Sequence, residues 1–239
     1  MVVHGSSLCL FLTLHFPNHR SSNISSMDKS QTNHYLDLAD QSIFDILAKD
    51  DGSDKTTTWT HVKVTDGVSV DRGVNAHSPW NAIKATTTVH CSANDLASKL
   101  NDPQQMHIFD EMTDNCRIIE ALNPAETKTI RYVQAKPVFP TTARDFLVVT
   151  SEQRLDDGSI VIGTKSVEHD SVPVDKHFVR AHTHVSGYIV RPLTPTSCSV
   201  TLIVHMDLGG YMPAYVINLL SVASPIQLLK RFRVLYGRA

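Results

Sequence analysis

Apolar residues recur at two spacings along this chain, and each spacing predicts one kind of element. Between residues 34 and 48 they return every three or four positions, which predicts an amphipathic helix. Turn residues at 50–53 end that helix. Ser92 is suited to cap a second, short helix that ends near Leu100, and residues 103–112 predict a further helical turn or two.

Alternation of apolar and polar residues, which is typical of strands, dominates the remainder. Strands are predicted at 57–64, 67–72, 80–90, 116–122, 127–136, 144–153, 159–168, 177–190 and 198–207. The turn sequence at 156–158 joins two of them as a hairpin. After Gly209-Gly210 the period changes again, and residues 213–236 predict a long amphipathic helix that Pro225 should kink.

Two of the predicted strands have one mainly apolar face. In 177–190 that face consists of Val179, Ala181, Thr183, Val185, Gly187 and Ile189. In 198–207 it consists of Val200, Leu202, Val204 and Met206. The pattern predicts a concave apolar face under the long C-terminal helix, and a mixed outer face exposed to solvent. It fits a filled core, and it also fits a tunnel lined by the small residues.

Composition narrows the class of protein. Hydrophobic residues make up 41% and charged residues 19%, as in globular domains, and the net charge of −2 argues against a general nucleic-acid binder. The four cysteines show no CxxC spacing, which favours a reducing compartment. No apolar run approaches the roughly 20 residues of a transmembrane helix. We therefore expect a cytoplasmic protein with one folded domain at 31–239 after a poorly ordered segment at 1–30.

The first 30 residues leave an alternative open. Leu8–Phe16 is as long as the apolar region of a signal peptide, and Asn23-Ile24-Ser25 is a glycosylation sequon. However, no basic residues precede Leu8, and His15 interrupts the run. Secretion is therefore the minor alternative, and a poorly ordered N-terminal segment, for which Met27 is a candidate true start, is favoured.

Three motifs lie in order on the predicted elements. Residues 139–146 read Phe-Pro-Thr-Thr-Ala-Arg-Asp-Phe, residues 167–173 read Val-Glu-His-Asp-Ser-Val-Pro, and residues 207–213 read Asp-Leu-Gly-Gly-Tyr-Met-Pro. With these motifs and this order of elements, residues 55–237 resemble the StAR-related lipid-transfer (START) domain family. The second motif is closest to the ceramide- and phosphatidylcholine-transfer branch, and the third is shared with the sterol-binding branch.

The resemblance implies an α+β helix-grip fold, in which a curved antiparallel sheet wraps around a long C-terminal helix and encloses an apolar cavity. It implies that the protein binds one lipid and transfers it between membranes, as a monomer without catalytic activity, cofactor, metal or nucleic-acid partner. The loop 137–146 and the C-terminal helix would gate the cavity during transient contact with a membrane surface. The gate and membrane-contact residues would be Phe139, Pro140, Tyr211 and Met212.

The resemblance also implies that a few polar side chains hold the lipid headgroup. In ceramide-binding members these are a carboxylate, two amides and a tyrosine, and the matching positions here are Asp110, Val133, Thr164 and Leu202. Only the carboxylate is kept, which argues against ceramide.

In the sterol branch a buried acid pairs with an arginine, and those positions here are Arg131 and Thr150. We expect Asp110, Thr164 and Arg131 to form the polar end of the pocket, with a ligand hydroxyl or Arg131 satisfying Asp110. The other wall residues are expected to be Phe146, Ala181, Thr183, Val204, Met206, Val216 and Leu220.

Enzymatic functions find less support. His182 and His184 share a strand face and His205 is predicted on the next strand, so a three-histidine zinc site was a candidate. That face is expected to be solvated, and no carboxylate motif accompanies it. The chain has no GxSxG, HExxH or phosphate-binding loop. A cavity hydrolase or cyclase on the same scaffold and a lipid sensor that does not transfer remain the alternatives.

Overall fold

The computed structural model describes residues 28–213, 216–217 and 219–237. Its helices are α1 (Lys29–Asp51), α2 (Ala93–Asn101), α3 (Met106–Phe109) and α4 (Ser224–Tyr236). Its strands are β1 (Thr57–Thr65), β2 (Val68–Asn75), β3 (Ala82–Val89), β4 (Thr113–Ala121), β5 (Lys128–Ala135), β6 (Arg144–Arg154), β7 (Ile160–Ser166), β8 (Val179–Arg180), β9 (His182–Thr194) and β10 (Ser197–Asp207). Nearly all of the segment at 1–30, with the sequon and Met27, lies outside the described residues.

The strands form one sheet in the order β1-β2-β3-β10-β9-β7-β6-β5-β4, and β8 pairs with β6. All pairings are antiparallel except that of β8 with β6. The predicted hairpin joins β6 to β7, where Gly158 adopts a left-handed φ of 82°. The predicted α+β helix-grip architecture is confirmed.

Both faces of the sheet are covered. The inward face packs against α2 and α4 in a core that includes Leu96, Phe109, Leu229 and Phe232. The outward face packs against α1, where Ile43 and Ile46 contact Val185, Ile189 and Ile203. The expectation of a solvated outer face is therefore wrong, because α1 lies across it.

Helix α1 has a defined beginning and end, and it approaches the sheet closely. The Asp28 carboxylate accepts a hydrogen bond from the Ser30 N–H at 3.3 Å, and Gly52 ends the helix at a left-handed φ of 78°. At Gly163 in β7, a methyl group would lie 2.6 Å from Ser42 Oγ and 2.8 Å from the Ser42 carbonyl carbon. A glycine at this position therefore lets the helix backbone pack against the strand.

A β-bulge changes which residues of β9 face inward. His205 pairs with Val185, but the next residue, Met206, pairs with Thr183, so His184 is an extra residue in the ladder. Thr183 therefore shares the inward face with Met206, whereas Val185 faces α1. The predicted single apolar face of β9 is wrong beyond the bulge: Val185, Gly187 and Ile189 face outward, and Ser186 and Tyr188 face inward.

The last helical region is interrupted before Pro225. A π-helical turn spans Leu219–Ala223, and α4 begins at Ser224 with the proline in its first turn. A proline at that place lacks only an N–H that has no intrahelical partner there. The predicted kink is thus realised as a wide turn followed by a new helix. No helix in the described part of the chain is long and apolar enough to cross a membrane.

Candidate functional site

The inward face of the sheet is less completely covered than the outward face. The half-buried inward side chains are Phe146, Thr164, Ser166, Ser186, Tyr188, Val204 and Met206. Their outward neighbours on the same strands are buried, including Leu147, Val149, Val185, Ile189 and Ile203. The inward face is therefore packed less tightly than the outward face on these strands.

The inward face is fully covered at one end of the strands. There the inward residues Ile160, Val190 and Val200 are buried against Phe109 and Phe232. Accessible inward residues such as Val204 and Met206 lie toward the other end, where β10 runs into the Gly209-Gly210 turn. The less covered part of the inward face thus lies on the side of the Gly209-Gly210 turn.

The predicted wall residues fall into three groups. Buried ones are Val133, Thr150, Thr183, Leu202 and Val216, and half-buried ones are Phe146, Thr164, Val204, Met206 and Leu220. Thr150 and Thr164 face each other across β6 and β7, with their hydroxyl oxygens 3.3 Å apart. Ala181 borders a different, surface pocket with Leu147 and Val167, which places it outside the predicted interior.

Asp110 is the C-terminal cap of α3, and its carboxylate accepts hydrogen bonds from residues that follow closely in the chain. It accepts hydrogen bonds from the Met112 N–H at 3.0 Å and from the Thr113 hydroxyl at 2.9 Å. Burial raises the pKa of this carboxyl above its ordinary value. Arg131 instead donates to Thr129 and Asn101. The expectation that Arg131 satisfies Asp110 is therefore wrong for the structure described.

Two tyrosines in the interior were missed from the sequence. The Tyr188 ring contacts Phe232 with 5.8 Å between ring centroids, and burial raises the pKa of its phenol, with a contribution from the Asp110 charge. The Tyr236 hydroxyl is buried and has no hydrogen-bond partner among the described residues. Alternation placed Tyr188 on the outer face because nothing in the sequence marks the bulge at His184.

The predicted gate residues lie on two neighbouring segments. Phe139 is 88% exposed and Tyr211 is 83% exposed, whereas Met212 is half-buried. Pro140 is exposed beside Phe139. The buried side chain of Arg144 joins the segments, since its Nη2 lies 3.0 Å from Met212 Sδ. Two large aromatic side chains are therefore exposed near the end of the sheet where the inward face is less covered.

The three candidate histidines do cluster, but beneath α1. The ring centroids of His182 and His184 are 4.9 Å apart, and those of His184 and His205 are 4.5 Å apart. His205 is buried and its Nε2 lies 3.1 Å from the Trp80 carbonyl oxygen. Within residues 28–213, 216–217 and 219–237, no group of three or more His, Cys, Asp or Glu is arranged to hold a metal ion.

Comparison with known proteins connects this architecture to one family. The family model described as START domain matches residues 51–237. Human StAR-related lipid transfer protein 5 (Homo sapiens) is 24% identical over 167 residues, which cover 68% of this chain and 78% of that protein. Its solved structure superposes with a TM-score of 0.76 at 21% identity, covering 85% of this chain and 96% of the other.

A second relative is much longer than this chain. Rho GTPase-activating protein 7 (Homo sapiens) is 31% identical over 113 residues, which are 47% of this chain but only 7% of that protein. The structure of human STARD10 has a TM-score of 0.66 at 20% identity and covers 90% of this chain and 82% of the other. These structural likenesses establish the fold.

Proposed function

The chain belongs to the START domain family, and from that premise we propose that it binds one lipid in its interior and carries it between membranes. The observation that carries the proposal is the half-buried row of inward side chains on β6, β7, β9 and β10, next to outward side chains that are mostly buried. Most of that inward row is apolar or weakly polar. The names of the StAR-related lipid transfer proteins add support.

A carrier is needed because an alkyl chain crosses water slowly. Moving a sixteen-carbon chain from a bilayer into water costs roughly 12 kcal/mol, at about 0.8 kcal/mol per buried CH₂. An apolar interior removes most of that cost, since the chain leaves one apolar environment for another. The lipid still needs a way in, and we assign it to the 137–146 loop and the C-terminal segment that begins at Pro213.

The gate assignment rests on exposure and position. Phe139 and Tyr211 expose most of their side chains, although large apolar groups are usually at least partly covered. Transfer of an exposed aromatic side chain from water into the membrane interface is favourable, because its apolar surface is removed from water. Both residues lie at the side where the inward face of the sheet is accessible, so insertion would place the opening against the lipid.

Two measurements test the proposal. Native mass spectrometry of the protein purified from lipid-rich cells should show a complex with one intact lipid. A transfer assay between donor and acceptor vesicles should then show protein-dependent movement of that lipid. Binding without transfer would identify a lipid sensor, and the absence of any bound lipid would contradict the proposal.

A substitution that fills the interior, compared with the same substitution at the surface, tests where the lipid binds. Val204→Trp adds bulk at a half-buried inward position and should abolish lipid binding while the fold is retained. Val62→Trp makes the same change at an exposed position on β1 and should leave binding unchanged. Circular dichroism of both variants checks that the fold survives.

Ester hydrolysis is a second candidate function, favoured by one hydrogen-bonded trio. The Ser171 Oγ lies 2.8 Å from His169 Nδ1, and His169 Nε2 lies 3.4 Å from Glu120 Oε2. This order of groups can activate a serine hydroxyl. The Ser171 N–H also donates to His169 Nδ1 at 3.3 Å, as in a local turn. Turnover of a short-chain p-nitrophenyl ester that Ser171→Ala abolishes would favour hydrolysis over transfer.

A further inference from the structure

Arg131 places a positive charge on the inward face of the sheet. It lies in the middle of β5, opposite Val148 on β6 and Ile118 on β4, and only 7% of the residue is exposed. Burial lowers the pKa of its guanidinium. An arginine nevertheless keeps its proton at neutral pH, because its ordinary pKa is above about 12. The interior therefore contains a permanent cation.

The protein groups bonded to this cation are neutral. Nε donates to the Thr129 hydroxyl and Nη2 donates to the Asn101 side-chain oxygen, both at 2.8 Å. Among the described residues, no carboxylate lies within 4.0 Å of the guanidinium. Asp102 and Glu152 stabilise the charge only from a greater distance, and the Glu152 carboxylate accepts a hydrogen bond from Asn101 Nδ2 at 2.8 Å.

The remaining nitrogen is available to a ligand. Nη1 of Arg131 has no hydrogen-bond partner among the described residues, and it is not completely buried. Ile118, directly across on β4, is 38% exposed and so provides an accessible apolar surface beside the guanidinium. The arrangement offers one charged donor next to a contact for an alkyl chain.

A buried charge without a directly paired counter-charge is costly, and the cost falls when an anion pairs with it. We propose, on the basis of the proposed lipid-binding function, that Arg131 binds the anionic headgroup of the cargo, a carboxylate or a phosphate monoester on an alkyl lipid. Nη1 donates to the headgroup oxygen, and the chain runs over Ile118 into the apolar interior. A lipid with only a neutral hydroxyl leaves the charge of Arg131 uncompensated.

Three oleyl probes that differ only at the headgroup test this assignment. Displacement of a fluorescent fatty acid from the delipidated full chain measures the affinities for oleate, oleoyl lysophosphatidate and oleyl alcohol. At least one of the two anions should bind about tenfold more tightly than the alcohol, as expected for a charge-assisted hydrogen bond. Preference for oleate identifies a carboxylate cargo, and preference for the lysophosphatidate identifies a phosphate cargo; either result supports the proposal.

Two variants assign the preference to Arg131. Arg131→Gln should remove the preference, so that both anions bind no more tightly than the alcohol does to the same variant. Asn101→Asp combined with Glu152→Gln keeps the arginine, supplies a directly bonded counter-charge and preserves a donor–acceptor pair between the two positions. It should therefore abolish the preference even if Arg131→Gln fails to fold. Thermal unfolding of each variant verifies its structure.

The proposal is overturned if the alcohol binds as tightly as both anions, or if both folded variants keep the preference for anions. A neutral lipid found by native mass spectrometry, together with weak binding of both anions, overturns the anionic headgroup and leaves lipid carriage intact. The absence of binding by any lipid overturns both proposals.

Discussion

The Arg144 guanidinium joins the 137–146 loop to the turn at 208–210, through a hydrogen bond from Nε to the Leu208 carbonyl oxygen at 3.2 Å. Its Nη2 also donates to the Gly209 carbonyl at 3.1 Å, and its Nη1 donates to the Thr142 carbonyl. The residue is 7% exposed, and burial alone lowers the pKa of its guanidinium. One side chain therefore holds the loop that follows Phe139 against the turn that precedes the C-terminal helical segment.

The first prediction is that Arg144→Gln opens this contact. A glutamine side chain is shorter and has only two N–H donors, so it cannot reach all three carbonyls. We expect bound lipid to be released several-fold faster into buffer that contains an acceptor protein, measured with a fluorescent lipid. Arg154→Gln, at the exposed far end of the same strand, is the matched control. An unchanged release rate in folded Arg144→Gln would show that the contact does not restrain the gate.

The second prediction concerns the two exposed aromatic residues of the gate. Phe139→Ser and Tyr211→Ser remove apolar surface that is mostly exposed to solvent, so stability and lipid affinity in solution should change little. Transfer between vesicles should fall by about tenfold or more, because insertion of each aromatic side chain contributes roughly 1.5–3 kcal/mol. Phe44→Ser changes a phenylalanine on α1 that is 65% exposed and should leave transfer intact. Equal loss in all three variants would contradict a localised gate.

Much of the fold was predictable from the sequence because its determinants are local. The alternation in β10 was interpreted correctly, and Val204 and Met206 do face inward. The inward position of Tyr188 was not predictable, because a bulge inserts one residue without any change in the pattern of residue types. The family resemblance singled out Arg131, which does lie on the inward face, but its neutral partner Asn101 comes from another element, and only the fold brings them together.

The third prediction tests the close approach of α1 to the sheet. Gly163→Ala places a methyl group within 2.9 Å of Ser42 and of the Ile43 backbone nitrogen, where the backbone cannot yield easily. We expect a loss of about 1–3 kcal/mol in the free energy of unfolding, as for overpacked sites. Hydrogen exchange should accelerate in α1 and remain unchanged in α2, on the opposite face. Thr88→Ala, at an exposed position in β3, is the control for stability.

The last prediction is a loss of stability in acid that depends on His205. Burial lowers the pKa of this imidazole to about 4, and the neighbouring His184 and Lys49 add to the effect. Its ordinary value, which applies to the unfolded chain, is about 6.5. Between these values the unfolded chain binds more protons than the folded one, so stability decreases as pH falls from about 6.5 to about 4 and is constant above that window.

The size of this contribution is at most roughly 3 kcal/mol. Urea unfolding at pH 7 and at pH 4 measures it as a difference between proteins. His205→Gln, which does not titrate, should lose correspondingly less stability than the wild type between these two pH values. His107→Gln removes an exposed histidine and should behave as the wild type does. If His205→Gln and the wild type lose the same free energy, the acid sensitivity comes from other groups, such as the Asp54 carboxylate, whose hydrogen bond with Lys49 and other donors lowers its pKa.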